Sequence, residues 1–290
     1  MRLLSIVLGC LCYQALYAQW GTEPPLRQCY SLDSAVAHRG ERLAVFLENQ
    51  QLRAFPDSLR LLPHLVQLSL QMNHLTTIPN WIDEFAELES LVLFDNQIEE
   101  LPESLFRCTH LVVLNADQNR IKKIPSSIKQ LQMLQVLWLA RNQIREVPLE
   151  IYQLSQLHDL RLRENLITQL LPGISACTHL QKICMARNQL RTLPADIFTL
   201  PVLYYFSFWQ NPLGNISDSL LLLPHLEYVN LMQCELRTIN SQLLEMPSVN
   251  LVNLSGNHFS ATLQRKLKKL AARKKIVLES SNNKCSKDFH

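Results

Sequence analysis

Four histidines recur in one phase of this sequence, and a cluster of imidazoles could hold a metal ion such as Zn²⁺. They are His64, His110, His179 and His225, and each directly precedes a leucine of a 23-residue period. If each period contributes one strand, successive histidines lie roughly 10–14 Å apart at about 4.8 Å per strand. One zinc ion needs its nitrogen ligands at about 2 Å. We therefore interpret these histidines as repeated turn residues and predict no metal site.

The cysteines could form disulfides in an oxidising compartment. Cys108 and Cys177 share a phase but lie three periods apart. That is roughly 14 Å by the same spacing, whereas a disulfide needs Cα atoms within about 7 Å. Cys184 and Cys234 fall in different phases. We expect free thiols, with Cys108 and Cys177 as buried fillers and Cys184 and Cys234 as the more exposed pair.

The sequence offers no recognisable catalytic arrangement. Asp95, Asp117 and Asp159 are expected near one surface, but acids on a common surface are usually just solvated, and no nucleophile–base pair accompanies them. Only 6 glycines occur in 290 residues, against 57 leucines. The sequence contains no GxGxxG, GxxxxGK[ST] or GxSxG motif, which argues against nucleotide-binding and hydrolase folds built on such loops. We predict a non-enzymatic protein without a cofactor.

The 23-residue period is carried by asparagines. They stand at positions 73, 96, 119, 142, 165, 188, 211 and 257, Cys234 fills the one missing register, and Gln50 extends the phase backward. One unit reads Leu88-x-x-Leu91-x-Leu93-x-x-Asn96-x-Ile98-x-x-Leu101-Pro102, and the frame holds from 42 to 262, which gives ten units. A fixed period of this length indicates a repeat architecture.

This unit resembles the leucine-rich-repeat family, in particular the 23-residue subclass LxxLxLxxNxIxxIP. Similar units occur in Ras-suppressor-type intracellular proteins and in many bacterial proteins. The paired-cysteine caps of animal extracellular members are absent, which favours a bacterial secreted type. The resemblance implies an α/β solenoid: a horseshoe with a parallel β-sheet on its concave face and short helical, 3-10 or extended segments on its convex side.

The spacing within the unit has a physical reason. Leu91 and Leu93 alternate with outward-facing residues, which is the period of a strand with one buried face. The amide of Asn96 can satisfy backbone groups where the chain leaves the sheet. Pro102 opens the return segment, where its fixed φ is tolerated. We expect asparagine and proline to take the place of glycine in these turns.

The chain divides into four predicted regions. Residues 1–18 are typical of a secretory signal peptide, with a basic start and an apolar run; residues 19–41 form an N-terminal cap with a helix at 31–38. Residues 42–262 are the ten repeats, whose first strand is expected at 44–47. Residues 263–290 contain a basic cap helix, a last strand at 276–278 and a polar tail. An alternative for the N-terminus is a bacterial lipobox with Cys10 as the lipidated residue.

Outward-facing strand positions precede each asparagine by six, four and two residues, and they form the candidate binding surface. The predicted partner-binding residues are Asp117, Trp138, Asp159, Arg161, Arg163, Lys182, Arg187, Tyr205, Trp209 and Tyr228, flanked by Arg141 and Glu164. Aromatic residues beside arginines are enriched at binding hot spots. The alternative is an ordinary exposed strand surface with β-forming residues and mixed charges.

We predict an exported, monomeric protein, secreted or in the periplasm or cell envelope, that binds a protein or peptide on its concave face and binds no nucleic acid. The alternative function is an envelope-attached module, held by lipidated Cys10 or by the basic cap helix, that engages anionic lipid or a polyanion. Residues 263–290 carry a net charge of +7. A solvated outer face on a terminal cap explains that charge equally well, and we favour this explanation.

Overall fold

The computed structural model describes residues 26–271 and 275–277. One sheet of twelve parallel strands runs through them, and the strands follow one another in chain order. They are β1 (Arg27–Cys29), β2 (Leu43–Phe46), β3 (Leu65–Ser69), β4 (Ser90–Val92), β5 (Val113–Asn115), β6 (Val136–Trp138), β7 (Asp159–Arg161), β8 (Lys182–Cys184), β9 (Tyr205–Ser207), β10 (Tyr228–Asn230), β11 (Leu251–Asn253) and β12 (Lys275–Val277). The predicted open solenoid with a parallel sheet is confirmed.

The register of the sheet equals the sequence period. Ser90 pairs with Val113, Val113 with Val136 and Val136 with Asp159, so that each step from β3 to β11 is one unit of 23 residues. The side chains at one repeat position therefore form a row across the sheet. Within these units, an outward-facing residue has as its direct neighbours the residues 23 positions before and after it.

Short 3-10 helices form the convex side of the solenoid. They span Asp57–Leu61, Asn80–Glu84, Glu103–Arg107, Ser126–Gln130, Leu149–Gln153, Ile174–Ala176, Ala195–Thr199, Asp218–Leu222 and Ser241–Leu244. Six of them directly follow a proline, namely Pro56, Pro79, Pro102, Pro125, Pro148 and Pro194. Proline suits this position because its fixed φ is compatible with helix entry and its missing N–H would have no partner there. The return segments thus start where the sequence predicted.

The asparagines form a continuous ladder between the sheet and the convex side. Asn96 is typical: its Nδ2 donates to the carbonyls of Leu70 and Leu93, both at 3.0 Å, and its Oδ1 accepts the N–H of Leu75 at 3.0 Å. Each side chain thereby satisfies backbone groups of two successive turns, as the sequence predicted. Since buried polar groups without partners cost about 1–3 kcal/mol each, the ladder ties every unit to the one before it.

Cys234 replaces asparagine in this ladder and is fully buried, so the prediction that it is one of the more exposed cysteines is wrong. Its thiol takes the place of the amide and lies 3.3 Å from the carbonyl oxygen of Phe208. Cys184 is partly buried on the concave face, while Cys108 and Cys177 are buried as expected. The five cysteines of the described residues are free thiols.

The residue directly before each ladder position has a left-handed backbone, and in nine units it is not glycine. These residues are Asn49, Met72, Asp95, Gln118, Arg141, Glu164, Arg187, Gln210 and Gln233, with φ between 53° and 59°. Backbone hydrogen bonds to the next unit hold the conformation, as between the N–H of Arg141 and the carbonyl of Arg163 at 2.7 Å. The low glycine content therefore means that ordinary side chains occupy this strained position. The sequence suggested that asparagine and proline replace glycine in the turns, but these two residue types alone do not account for the low glycine content.

Both ends of the described solenoid carry a helix. Helix α1 (Leu32–Ala37) starts at its N-cap Ser31, whose Oγ accepts the N–H of Ser34 at 3.2 Å, as the sequence indicated. Strand β1 precedes it and was not predicted. Helix α2 (Ala261–Ala271) covers the other end, with Leu267 fully buried. The predicted signal peptide, lipobox and polar tail lie outside the described residues. Among the described residues no helix is long and apolar enough to cross a membrane.

Candidate functional site

The concave face changes character between β6 and β7. Consider the residue six positions before each ladder position. From β4 to β6 it is Ser90, Val113 and Val136, and from β7 to β10 it is Asp159, Lys182 and two tyrosines. The ten predicted partner-binding residues lie on or directly beside β5 to β10. Together with Arg141 and Glu164, which flank them, we call these residues the concave cluster.

Arg161 links two members of this cluster. Its Nε and Nη2 donate to the two carboxylate oxygens of Asp159 at 3.0 and 2.8 Å, and its guanidinium lies 4.0 Å from the centre of the Trp138 ring on the neighbouring strand. Burial would lower the pKa of Arg161, but the Asp159 carboxylate raises it, so the guanidinium remains charged. Asp159 itself is only 6% exposed. This ion pair stiffens the surface, and its carboxylate is already engaged within the protein.

Asp117 is the carboxyl group of the cluster with the most unusual environment. It is partly buried and accepts the backbone N–H of Ala140 at 2.6 Å. Burial raises the pKa of Asp117 to about 7, and the neighbouring Asp159 adds to this effect, although the Ala140 N–H and the charge of Arg161 work against it. Asp117 therefore changes its charge near neutral pH, which its position in the sequence did not reveal.

Glu164 is surrounded by three arginines that come from three successive units. Its Oε1 lies 3.2 Å from Arg141 Nε, 2.6 Å from Arg163 Nη2 and 3.6 Å from Arg187 Nη1. Burial would raise the pKa of Glu164, but Arg163 and Arg141 lower it, so that it stays ionised. Glu164, Arg141 and Arg187 all occupy the left-handed turn position. One carboxylate cannot neutralise three guanidinium groups, and positive charge is left over at the surface.

Two of these arginines also flank Trp209. The guanidinium carbons of Arg163 and Arg187 lie 5.2 and 5.6 Å from its ring centre. Such cation–π contacts contribute about 0.5–1 kcal/mol at exposed sites. The Nε of Arg163 is buried without a hydrogen-bond partner. The result is an aromatic ring that contacts two cations and remains partly exposed to solvent.

The remaining members form an aromatic patch beside it. Tyr205 and Tyr228 stack in parallel, with ring centres 4.4 Å apart and an interplanar angle of 1°. Lys182 points its ammonium at the ring of Tyr204, 5.7 Å from the centre. Tyr228 is only 9% exposed, so it supports Tyr205 more than it contacts solvent.

The sequence thus placed these residues on the concave face but did not show which contacts each of them makes within the protein. Asp159 and Tyr228 are largely buried, and Glu164 contacts three arginines at the centre of the cluster. Tyr204, which contacts Lys182, was not among the predicted residues. The signal for Glu164 was available, since Arg141 and Arg187 lie 23 residues to either side of it and are therefore its direct neighbours in the repeat.

The four histidines that share one repeat position lie in turns, as predicted. His110 and His179 each place Nδ1 2.9 Å from the carbonyl oxygen of the residue 24 positions earlier, Ala86 and Ser155. His64 instead contacts Glu87 at 2.7 Å. No group of three or more metal-ligating side chains occurs within the part of the chain that the structure describes.

Comparison with known proteins agrees with this fold. Residues 86–144 match the family model described as leucine rich repeat. A search of curated proteins found no significant match. Among solved structures, a leucine-rich-repeat protein of Leptospira interrogans is 22% identical with a TM-score of 0.72, and the match covers 87% of this chain and 69% of that one.

Two plant receptors are similar as well. The leucine-rich-repeat ectodomain of the Arabidopsis thaliana receptor kinase GASSHO1/SCHENGEN3, in complex with CASPARIAN STRIP INTEGRITY FACTOR 2, is 24% identical with a TM-score of 0.68, covering 87% of this chain and 32% of that one. The plant peptide hormone receptor RGFR1, in complex with RGF2, is 23% identical with a TM-score of 0.55, covering 81% and 46%. The present chain thus matches less than half the length of either receptor chain. At these identities the likeness concerns the leucine-rich-repeat fold.

Proposed function

We propose that this leucine-rich-repeat chain binds a protein or peptide partner through the concave cluster. The observation that carries the proposal is Trp209, a large aromatic ring in contact with both Arg163 and Arg187 on a face that core packing does not require it to occupy. Tryptophan and arginine are enriched at binding hot spots. Arrangement on one rigid sheet means that little entropy is lost when a partner binds.

The charges of the cluster indicate the chemistry of this partner. Five basic side chains (Arg141, Arg161, Arg163, Lys182 and Arg187) face three acidic ones (Asp117, Asp159 and Glu164), and the acids already bond within the protein. The surplus is positive. We therefore expect an extended segment that carries carboxylates near Arg163 and Arg187 and an apolar or aromatic side chain against Trp209 and Tyr205.

The similar plant structures support this proposal by precedent. The GASSHO1/SCHENGEN3 ectodomain and the hormone receptor RGFR1 both occur in complexes with ligands. Since likeness at this level concerns the fold, the choice of partner has to come from the side chains of this chain, which is why the charge and aromatic pattern carries the proposal.

We also propose that the chain is exported. Support comes from Arg2 and the apolar run from Leu3 to Ala18, which is typical of a secretory signal. If so, expression in a bacterial host should yield periplasmic protein that begins at Gln19. A mature protein starting at lipidated Cys10 would instead favour the envelope-attached alternative. Full-length protein confined to the cytoplasm would contradict export.

The basic helix α2 lends the envelope-attached alternative little support. Leu267 is fully buried, and Leu263 and Leu270 pack against the core of the solenoid. The apolar side of the helix is thus already used, and only its exposed lysines and arginines could contact an anionic surface. We therefore assign α2 the role of a solvated cap, which repeat proteins need at their ends.

The test compares two matched arginine substitutions. Arg187→Gln removes a cation from Trp209 on the concave face, whereas Arg60→Gln removes one from Trp81 on the convex side, where the guanidinium carbon lies 5.8 Å from the ring centre. Partners cross-linked to the wild type in an envelope extract are identified by mass spectrometry and measured by calorimetry with each variant. We expect Arg187→Gln to weaken binding about tenfold and Arg60→Gln to leave it unchanged. Equal affinities for all three proteins would contradict the proposal that the partner binds at Trp209 and Arg187.

A further inference from the structure

His158 and His179 bring two imidazole rings together on one edge of the sheet. Their ring centres lie 5.7 Å apart with an interplanar angle of 38°. His158 directly precedes β7 and is partly buried, whereas His179 lies three residues before β8 and is exposed. The two side chains therefore meet at the junction of two neighbouring units, outside the concave cluster.

Both rings are oriented by the backbone through the same nitrogen. The Nδ1 of His158 lies within hydrogen-bond distance of the carbonyl oxygen of Gln156, and the Nδ1 of His179 is 2.9 Å from that of Ser155 and 3.5 Å from Thr178 Oγ1. A carbonyl oxygen can only accept, so Nδ1 carries the proton in each ring. Each Nε2 then keeps a lone pair. This is the arrangement of metal-ligating histidines, whose second nitrogen usually donates to a carbonyl or a carboxylate.

We propose that His158 and His179 form a binding site for a divalent transition-metal ion. With metal–nitrogen bonds of about 2.0–2.1 Å, two imidazoles on one ion place their ring centres roughly 5–6 Å apart, in the range observed here. Imidazole suits Zn²⁺, Cu²⁺ and Ni²⁺, whereas Mg²⁺ and Ca²⁺ prefer oxygen ligands. The charged residues next to this pair in the fold are engaged elsewhere: Asp159, which follows His158 in sequence, bonds to Arg161, and Lys182, at the start of β8, points at Tyr204. Water would therefore fill the remaining coordination positions.

The pair depends on an offset of 21 residues between neighbouring units. Position 158 precedes its ladder asparagine by seven residues and position 179 precedes the next one by nine. The residues 21 positions before the other in-phase histidines are Leu43, Glu89 and Tyr204, so the array places two histidines in this relationship at one junction. The two histidines occupy different positions of the repeat, so the common position shared by His179 and the other three histidines does not reveal the pair.

The experiment titrates Ni²⁺ into the full chain without a polyhistidine tag, at pH 7.5, by calorimetry and by NMR. Paramagnetic Ni²⁺ should broaden the amide signals around 156–160 and 178–182 selectively. Outer-shell partners alone contribute about 10–100-fold to metal affinity, so His158→Gln and His179→Gln should each weaken this site at least tenfold. Mg²⁺ should leave the same signals unchanged.

His225→Gln is the matched control, because His225 shares the phase of His179 but has Tyr204 21 residues before it. It should retain the Ni²⁺ site. His179 is exposed, so His179→Gln tests the proposal even if His158→Gln alters folding. The proposal is overturned if either glutamine variant binds Ni²⁺ as tightly as the wild type, or if His225→Gln loses the same site. The concave cluster contributes no ligand, so this result is independent of the proposed partner binding.

Discussion

The guanidinium of Arg161 lies 4.0 Å from the centre of the Trp138 ring, while the same side chain forms two hydrogen bonds with the buried carboxylate of Asp159. One arginine thus connects two strands of the concave face. Arg161 consequently contributes to folding as well as to the surface, and its removal would affect both. Arg187, which is more exposed, is the better residue with which to probe binding alone.

We predict that Arg161→Ala destabilises the protein by about 2–4 kcal/mol, because it leaves the Asp159 carboxylate buried without its partner. The double variant Asp159→Asn/Arg161→Ala should be more stable than the single variant, since no unpaired charge remains. Urea unfolding of the wild type, Arg161→Ala, Asp159→Asn and the double variant measures the difference. A double variant that loses the sum of the two single effects would show that the ion pair contributes nothing.

Asp117 should make stability depend on pH. Its pKa is raised from 3.8 to about 7 in the folded protein, mainly by burial, so folding favours the protonated form. This contribution is fully present below about pH 4 and is lost as the pH rises through about 7. Relative to Asp117→Asn, the free energy of unfolding of the wild type should fall over this window by up to about 4 kcal/mol and stay constant above it.

Urea unfolding at pH 4.5, 6, 7 and 8.5 tests this prediction. Asparagine retains an oxygen that can accept the Ala140 N–H, so the variant removes the titration and keeps the hydrogen bond. Parallel pH profiles for the two proteins would mean that Asp117 does not titrate in this window.

The asparagine ladder should tolerate cysteine better than alanine. Asn142 donates to the carbonyls of Ala116 and Leu139 and accepts the N–H of Ile121. Asn142→Ala leaves these buried groups unsatisfied and should cost roughly 2–5 kcal/mol. Asn142→Cys should cost about 1 kcal/mol less, because its thiol can face a carbonyl as that of Cys234 does at 3.3 Å. Thermal unfolding of the two variants gives the order, and equal losses would count against the thiol's role.

The left-handed turn position should tolerate glycine better than a β-branched residue. Met72 has φ 59°, where a β-branched residue is strongly disfavoured. Met72→Val should therefore be about 1–2 kcal/mol less stable than Met72→Gly. The glycine variant itself should stay within about 1 kcal/mol of wild type, because relief of strain and the entropy of glycine offset each other. Denaturant midpoints measure both variants, and a valine variant as stable as the glycine one would refute the strain.

Much of the fold follows from the sequence because the repeat converts linear spacing into spatial neighbours. Asn96 and Asn119 are 23 residues apart, and so are the paired residues Ser90 and Val113. Once the period is known, the sheet order, the buried leucines and the position of the concave strip all follow. The buried state of Cys234 could also have been inferred from its ladder register.

The contacts between side chains on each surface could not be predicted from the sequence and became clear only from the tertiary structure. Glu164 contacts three arginines, Asp117 becomes partly buried, and His158 meets His179 at an offset of 21 residues. These outcomes depend on the size and rotamer of each neighbour and on how adjacent rows cover one another, which a period does not encode. The sequence by itself determined the scaffold and the face on which the aromatic and charged residues lie. The tertiary structure decided which charges on that face are internally satisfied and which stay available, because burial and direction are set jointly by side chains of several units.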